Sequence, residues 1–325
     1  MHDRTKVRLS MRLRIASIVA AGALAVAGCA APGASPAPEG KTIVVTYSVL
    51  GAVVADLVGE AAEVTVLMGD GVDPHDWSPS ARDIERVMNA DFVVANGLGL
   101  EENLVKTLDE AEKAGVPVFH ATDHIQVREM GEGAKHEEEG EKHEEEAEEH
   151  ADEADKHAAG DPHFWVDPIS MRDVVVALTG ALAEVGLDVS ARGTDLKERL
   201  VALDAEARTI LDVVPAKNRK LVTGHESMGY FAVRYAYTLV GAVIPGLTSQ
   251  GEVSAGELAD LRAEIEEYDV KAIFTEIGTP AAVAEAISRE TGVRIVELPS
   301  HTLPEDGSYF TFIREIATAV ADALR

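Results

Sequence analysis

In the first half of the chain, from residue 41, short runs of β-branched and apolar residues alternate with longer segments whose apolar residues recur at helical spacing. The short runs predict strands, and the longer segments predict the helices between them. The predicted strands are residues 42–47, 63–68, 90–96 and 116–120, and the predicted helices are residues 53–59, 81–89 and 101–114. Because strand and helix alternate, we expect a mostly parallel sheet with helices on both faces.

The second half of the chain begins with two long helical patterns, at residues 170–184 and 194–213, and then returns to the alternation. Strands are predicted at residues 220–223, 238–243, 271–275 and 294–298, with helices at residues 228–235, 254–268 and 280–291 and from residue 308 onward. The predicted fold class is therefore α/β, with two lobes joined by one long helix. Its parts are an N-terminal lobe at residues 41–190, a connecting helix at residues 191–215 and a C-terminal lobe at residues 216–325.

The N-terminus has the pattern of a secretory signal. Basic residues precede an apolar run at residues 15–27, which is too short to cross a bilayer as a permanent helix. The run ends in Val-Ala-Gly-Cys, which resembles the bacterial lipobox, so we expect a signal peptide at residues 1–28 and acylation of Cys29. Cys29 is the only cysteine, which excludes a disulfide framework. Residues 29–40 are rich in Pro, Ala and Gly, and we expect them to form a flexible linker that anchors the protein to the cell membrane, outside the cytoplasm.

The chain is acidic, with a formal net charge of −28, and 46% of its residues are apolar. The apolar content predicts a globular core, while the negative charge argues against a nucleic-acid partner and suits a protein that gathers cations. The charge is concentrated in a predicted loop at residues 132–158, where residues 132–157 hold 13 acidic and 3 basic residues. Histidines recur there at seven-residue intervals, as His136, His143, His150 and His157. We expect this mobile loop to capture metal ions weakly; the alternative is a solvated acidic surface.

Two copies of one motif supply candidate metal ligands. Asp-Pro-His occurs at residues 73–75 and again at residues 161–163, and each copy is followed by one of the two tryptophans of the chain. Aspartate and proline favour an extended turn from which an imidazole can project at a fixed angle. A third candidate, His225, follows a predicted strand. Since imidazole is a good ligand for a borderline metal ion, we predict that His75, His163 and His225 share one metal site.

Residues after the last two predicted strands are candidates for a fourth ligand. His301 follows the last strand, and Glu276 follows the strand before it. Glu305 and Asp306 are close to His301 in sequence and are alternatives to it.

Four other residues could support the site. Asp167 and Glu226 each lie near a candidate ligand, where a carboxylate can accept a hydrogen bond from the second ring nitrogen of a histidine, although either could equally begin a helix. Trp77 and Trp165 would shield the site from solvent or pack in the core.

Taken together, four segments carry a resemblance to a known family: GVDPH at residues 71–75, DPHFW at residues 161–165, VTGHE at residues 222–226 and FTE at residues 274–276. From residue 41 to its end, the chain resembles the zinc- and manganese-specific solute-binding lipoproteins of bacterial ABC importers, of the cluster A-I type. The resemblance implies two α/β lobes joined by a rigid long helix, with the metal in the cleft between them. It also implies a monomer that has no enzymatic activity, undergoes little domain motion and has a membrane permease as its partner.

The resemblance makes His75, His163 and His225 metal ligands and indicates Zn²⁺ as the transported ion. Zinc receptors of the family are similar in having histidine at the third of these positions, where manganese receptors tend to have glutamate. They often carry an acidic, histidine-rich loop before the second position as well. Many members have an aspartate after the final strand, where this chain has His301, so we expect His301 to be the fourth ligand. A site made only of imidazoles would disfavour Mn²⁺ further.

The sequence leaves other functions open as alternatives. One is a manganese receptor, an adhesin or a passive metal buffer with the same fold. Another is a secreted zinc-dependent hydrolase, with Glu226 or Glu276 as a general base. The chain contains no HExxH motif, and the segment at residues 224–229 misses the GxSxG spacing by one residue, so the sequence does not favour a hydrolase.

Overall fold

The computed structural model describes residues 40–129 and 160–325. Its N-terminal lobe is built on a four-stranded sheet in which every pairing is parallel and the strand order is β2-β1-β3-β4. The strands are β1 (Lys41–Tyr47), β2 (Ala62–Met68), β3 (Phe92–Ala95) and β4 (Val118–His120). The helices between them are α1 (Ser48–Val58), α2 (Ala81–Met88) and α3 (Val105–Ala114).

The C-terminal lobe repeats this architecture with a second parallel sheet, in the order β6-β5-β7-β8. Its strands are β5 (Lys220–Thr223), β6 (Thr238–Ala242), β7 (Ala272–Thr275) and β8 (Arg294–Glu297). Its helices are α6 (Gly229–Tyr235), α7 (Ala255–Glu267), α8 (Ala281–Thr291) and α9 (Tyr309–Leu324). The predicted fold class, two lobes of parallel sheet flanked by helices, is confirmed.

A helical hairpin connects the two sheets. It consists of α4 (Pro168–Glu184) and α5 (Ser190–Leu211), and α5 packs against α4, α1 and α9. One apolar cluster extends through both lobes along this hairpin and includes Val45 of β1, Leu200 of α5 and Leu221 of β5. Because their cores are continuous, the two lobes form one compact unit from Gly40 to Arg325.

Local signals explain where several helices begin. α2 begins at Ala81, as predicted, and Ser80 and Asp83 form a capping box at this end of the helix. α1 begins at Ser48, five residues before its predicted start at residue 53. A β-carbon at Gly51 would lie 2.5 Å from Cγ2 of Val66 in β2, so the glycine allows the helix to pack closely on the sheet.

The strand ends determine where a ligand can bind. In parallel sheets, polar residues just beyond the carboxyl ends of the strands meet at one edge. His75 lies in the loop after β2, and His225 lies two residues after β5. Glu276 follows β7 directly, and His301 lies in the loop after β8. In the residues that the structure describes, no helix is long and apolar enough to cross a membrane.

Candidate metal centre

The two Asp-Pro-His motifs form the same local turn. The carboxylate of Asp73 accepts a hydrogen bond from the backbone N–H of His75 at 3.0 Å, and the carboxylate of Asp161 accepts one from the backbone N–H of His163 at 2.9 Å. An aspartate that accepts from the residue two positions later is a recurrent turn-former. The repeat in the sequence thus places two imidazoles by one mechanism.

The three predicted ligands converge. Nε2 of His163 lies 3.2 Å from Nε2 of His75 and 3.1 Å from Nε2 of His225. All three side chains are buried, with 4%, 0% and 1% of the surface of His75, His163 and His225 exposed. Among the described residues, these are the three metal-ligating side chains whose donor atoms lie within 4.8 Å of one another. Three ring nitrogens facing one point suit a cation that accepts nitrogen ligands.

His163 is oriented by a buried carboxylate. Oδ1 of Asp161 lies 2.8 Å from Nδ1 of His163, while Oδ2 accepts a hydrogen bond from Nη1 of Arg128 at 2.9 Å. Neither Asp161 nor His163 is exposed to solvent, and Arg128 is 4% exposed. With Nδ1 held by the carboxylate, Nε2 remains the atom that faces the other two histidines.

His225 is oriented in the same way from the C-terminal lobe. Nδ1 of His225 lies 2.9 Å from Oε1 of Glu276. Glu276 also accepts hydrogen bonds from the hydroxyl groups of Ser227 at 2.8 Å and Ser300 at 2.5 Å. A β-carbon at Gly224 would lie 2.0 Å from Oγ1 of Thr279, so glycine allows the strand end to approach this network.

Burial sets the protonation of two of the candidate ligands. It lowers the pKa of His75 to about 2, helped by the neighbouring His163 and His225. Burial also lowers the pKa of His163, although the hydrogen bond to Asp161 opposes the shift. Both imidazoles are therefore neutral at pH 7, which is the form that binds a metal ion.

The pKa of His225 shifts in the opposite direction. Burial by itself would lower it, but the charge of Glu276 and the hydrogen bond to it raise the pKa of His225 above its ordinary value. Burial would raise the pKa of Glu276, but the charge on His225 and its hydrogen bond lower that pKa below its ordinary value. The pair with Glu276 thus favours the protonated form of His225, and a cation at Nε2 of His225 would compete with that proton.

His301 borders the three-histidine cluster. Its ring centroid lies 6.0 Å from that of His225 and 6.5 Å from that of His163. Nδ1 of His301 lies 2.9 Å from the hydroxyl of Ser300, and Nε2 is buried with no hydrogen-bond partner among the described residues. Burial lowers the pKa of His301 to about 4, so its free nitrogen carries a lone pair at pH 7.

Trp165 forms a wall of the site. Its ring centroid lies 5.2 Å from that of His163 and 5.4 Å from that of His301, and its Nε1–H donates to the carbonyl of Ser300 at 2.8 Å. Trp77 is half-buried and packs against the core of the N-terminal lobe.

Among the described residues, no hydrogen bond joins a candidate histidine ligand to the other predicted carboxylates, Asp167, Glu226, Glu305 and Asp306. Asp167 caps α4 and accepts from Arg234 at 2.8 Å, and Glu226 accepts from the backbone of Gly246 at 3.3 Å. Asp306 accepts from Thr311 at the start of α9, and both Asp306 and Glu305 are exposed. The predicted loop histidines His136, His143, His150 and His157 lie outside the described residues, as does Cys29.

Sequence reasoning missed the supporting roles of Asp161 and Arg128. The signal for Asp161 was present, since it stands two positions before His163 in the repeated motif. The motif indicated a backbone turn but not the additional bond from the carboxylate to the ring. No sequence pattern indicated Arg128.

A family model described as zinc-uptake complex component A, periplasmic (ZnuA), matches residues 43–323. The zinc-binding protein AdcA of Streptococcus pyogenes serotype M3 is 29% identical over 293 residues, which cover 85% of this chain and 55% of AdcA, so the chain spans about half the length of that relative. The manganese-binding lipoprotein MntA of Halalkalibacterium halodurans is 26% identical over 279 residues, with 84% of each chain covered.

Solved structures show the same fold. The periplasmic zinc-binding protein TroA of Treponema pallidum superposes with a TM-score of 0.72 at 25% identity, and the match covers 88% of this chain and 99% of TroA. In sequence, TroA is 30% identical over 259 residues, which cover 77% of this chain and 75% of TroA.

Proposed function

The chain belongs to the ZnuA family of periplasmic zinc-uptake components, and from this premise we propose that it binds Zn²⁺ outside the cytoplasm and delivers it to the permease of an ABC importer. The family consists of solute-binding receptors, not enzymes, and works with such permeases. Zn²⁺ is accordingly the transported substrate, bound in the cleft between the lobes.

The observation that carries this proposal is the convergence of three buried imidazoles. Nε2 of His163 lies within 3.2 Å of Nε2 of both His75 and His225. Because the three imidazoles are buried, their nitrogen lone pairs repel one another unless a proton or a cation lies between them. Zn²⁺ accepts three or four nitrogen ligands in tetrahedral geometry, so it fits this donor set.

We assign the fourth position to His301. Its Nε2 is buried and lacks a hydrogen-bond partner among the described residues, and its ring borders those of His163 and His225. Glu276, the buried carboxylate among the alternatives, already accepts from His225 and two serine hydroxyls. The donor atoms of His301 lie outside the group within 4.8 Å of one another, so its ring would have to move toward the cluster to complete a shell of four nitrogens.

Zinc is favoured over manganese by the ligand chemistry. Mn²⁺ prefers carboxylate and carbonyl oxygen, whereas imidazole suits Zn²⁺. The similarity to a manganese-binding lipoprotein keeps manganese as the second candidate. A comparison of Zn²⁺ and Mn²⁺ binding to the same preparation separates them, since we expect Mn²⁺ to bind measurably more weakly.

The proposed cellular location and the weak capture of Zn²⁺ depend on the N-terminus and on the histidine-rich segment. We propose that residues 1–28 are removed as a signal peptide, that Cys29 carries the lipid anchor, and that the anchored protein acts as a monomer at the outer face of the cell membrane. The four histidines spaced seven residues apart in the segment at residues 132–158 would collect Zn²⁺ weakly and raise its concentration near the cleft.

A zinc titration in competition with a chelator tests the site. We expect one tight Zn²⁺ per chain, and His301→Ala should weaken it by at least about tenfold, the effect that even an outer partner of a metal ligand has. His120→Ala is the matched control, because this histidine is paired with Glu112 on the surface. Tight binding unchanged by His301→Ala would assign the fourth position to a carboxylate or to water.

Deletion of residues 132–157 tests whether this segment captures metal ions weakly. Without this segment, we expect the tight site to remain and only the number of weakly bound ions to fall.

A growth assay tests the delivery role. Deleting the gene should prevent growth at limiting zinc, and excess zinc should restore it. Normal growth at limiting zinc would instead favour an adhesin or a passive buffer.

A further inference from the structure

Arg128 is buried beside the candidate site, where a charged residue is costly unless it is paired. It is 4% exposed, and its Nη1 donates to Oδ2 of Asp161 at 2.9 Å. Asp161 is fully buried, so both charges of this pair lie away from solvent. A buried pair of this kind fixes the direction of its side chains more firmly than a surface pair does.

The carboxylate of Asp161 has two different tasks at its two oxygens. Oδ2 accepts from Arg128, while Oδ1 lies 2.8 Å from Nδ1 of His163 and accepts from the backbone N–H of His163 at 2.9 Å. The guanidinium group therefore sets the rotation of the carboxylate, and the carboxylate sets the rotation of the imidazole.

The backbone around the pair is tied as well. The N–H of Asp161 donates to the carbonyl of Arg128 at 2.9 Å. The hydroxyl of Tyr230 donates to the carbonyl of Asp161 at 2.9 Å and accepts from the N–H of Arg128 at 3.0 Å. These bonds hold the backbone of Arg128 and the backbone of Asp161 together, so the two side chains start from fixed positions beside each other.

The start of α6 lies directly against the ion pair. A β-carbon at Gly229 would lie 2.2 Å from Nη1 of Arg128 and 2.7 Å from Oδ2 of Asp161. The fold thus requires glycine at this position for the pair to form, which provides a second way to disturb the pair without changing either partner.

We propose that Arg128 is a positioning residue for His163: through Asp161, it holds the ring so that Nε2 points at His75 and His225. This inference rests on the proposed function, because it assumes that those three histidines bind the metal ion. Arg128 itself does not touch the metal. Its loss should change both the coordination geometry and the affinity.

The test uses Co²⁺ as a spectroscopic probe of the purified chain. At saturating Co²⁺, the d–d absorption bands report coordination geometry independently of affinity. We expect Arg128→Gln to shift these bands and to weaken Co²⁺ binding by about tenfold or more, as the loss of an outer partner does. Gly229→Ala should act in the same direction. Arg128→Lys keeps the positive charge and an N–H donor group but not the planar fork of arginine, so it should retain part of the wild-type spectrum.

Arg234→Gln is the matched control. Arg234 pairs with the carboxylate of Asp167 at 2.8 and 3.0 Å, and neither residue contacts a candidate ligand. This variant should lose thermal stability as Arg128→Gln does but keep the wild-type Co²⁺ spectrum. An Arg128→Gln spectrum identical to that of wild type would overturn the inference, whatever its melting temperature.

A double-mutant cycle tests whether Arg128 acts through Asp161. In an Asp161→Asn background, Arg128→Gln should have little further effect on Co²⁺ affinity, because the connecting carboxylate is already gone. Additive effects would overturn the inference. If Arg128→Gln does not fold, the lysine and Gly229→Ala variants decide by the same spectral criterion.

The failure of the proposed function would look different. A wild-type chain that bound no Co²⁺, or bound it equally well after His75→Ala, would refute the three-histidine site and this inference with it. Wild-type binding that depends on His75, combined with unchanged Arg128 variants, would refute this inference alone.

Discussion

The two Asp-Pro-His units place their histidines by the same turn but surround them differently. In each, the aspartate accepts from the backbone N–H of the histidine. Asp161 additionally holds Nδ1 of His163, whereas Nδ1 of His75 is buried with no partner among the described residues. The other carboxylate oxygen of Asp73 accepts from Ser249, in the C-terminal lobe, at 2.5 Å. One motif therefore serves two purposes: it orients a ligand in one copy and joins the lobes in the other.

Glu276 controls the protonation of His225, one of the three candidate ligands. Its charge and hydrogen bond raise the pKa of His225 against the effect of burial, so the zinc-free site binds a proton more strongly. Zn²⁺ must displace that proton, and zinc binding near neutral pH should release it. In Glu276→Gln the pKa of His225 falls, so fewer protons should be released. Zinc affinity should fall about tenfold, as it does when other residues that hydrogen-bond a metal ligand are removed.

Calorimetry in two buffers of different ionisation enthalpy measures the number of protons released. Glu112→Gln is the control, because Glu112 accepts from His120 at 3.0 Å in an exposed pair of the same chemistry. It should leave proton release and zinc affinity unchanged. Equal proton release from wild type and Glu276→Gln would contradict the role of Glu276.

The sequence allowed the candidate ligands to be predicted, but not their partners. The repeated motif indicated His75 and His163, which the structure places in one cluster with His225. His301 was chosen because it follows a strand end, and its role as the fourth ligand stays a prediction. Which carboxylate reaches a ring nitrogen depends on side-chain rotation and on contacts between distant segments. Arg128 lies 33 residues before Asp161, so no local pattern connects them.

At the scale of elements, the hairpin of α4 and α5 depends on one close approach. A β-carbon at Gly193 of α5 would lie 2.3 Å from Oγ1 of Thr179 in α4. Thr179 cannot easily move aside, because its hydroxyl donates to the carbonyl of Val175 at 2.7 Å and its β-branched side chain is stiff. Gly180, one residue later in α4, has open space around the position that its own β-carbon would take.

Two alanine substitutions should therefore have opposite effects on stability. Gly180→Ala should raise the free energy of unfolding by about 0.5–1 kcal/mol, because alanine favours a helix. Gly193→Ala should lower it, since overpacking costs about 1–3 kcal/mol and exceeds the gain in helix propensity. Urea denaturation measures both. Adding Thr179→Ala should recover stability in the Gly193→Ala variant, and a stabilising Gly193→Ala would contradict the close approach.

The helices and strands were largely predictable from periodicity, whereas some of their ends were not. The strand at residues 220–223 was predicted with its observed bounds, because apolar residues and turn signals define it. α3 begins at Val105 and not at residue 101, because the side chain of Glu101 turns back to accept from Thr46 and from the backbone of Asn96. That long-range contact has no signature in the local sequence.

For the whole molecule, Trp165 joins the lobes next to the metal site. Its ring lies 5.1 Å from that of Tyr47 in the N-terminal lobe. From the C-terminal lobe, the carbonyl of Ser300 accepts from its indole N–H, and the hydroxyl of Tyr309 donates to its backbone carbonyl at 2.8 Å. A wide hinge opening would separate Trp165 from at least one of these partners and admit water.

We expect no such opening when zinc leaves, because α5 packs on both lobes and their apolar cores are continuous. In a Trp77→Phe variant, Trp165 is the only tryptophan and reports on the junction alone. Its emission maximum should stay at the wavelength of a buried indole with Zn²⁺ bound or removed by a chelator, since Zn²⁺ has a filled d shell. The urea-unfolded chain gives the emission of exposed indole. A chelator-induced red shift approaching that value would show that the lobes separate, and that release proceeds by hinge motion instead of by local movement around His163 and His225.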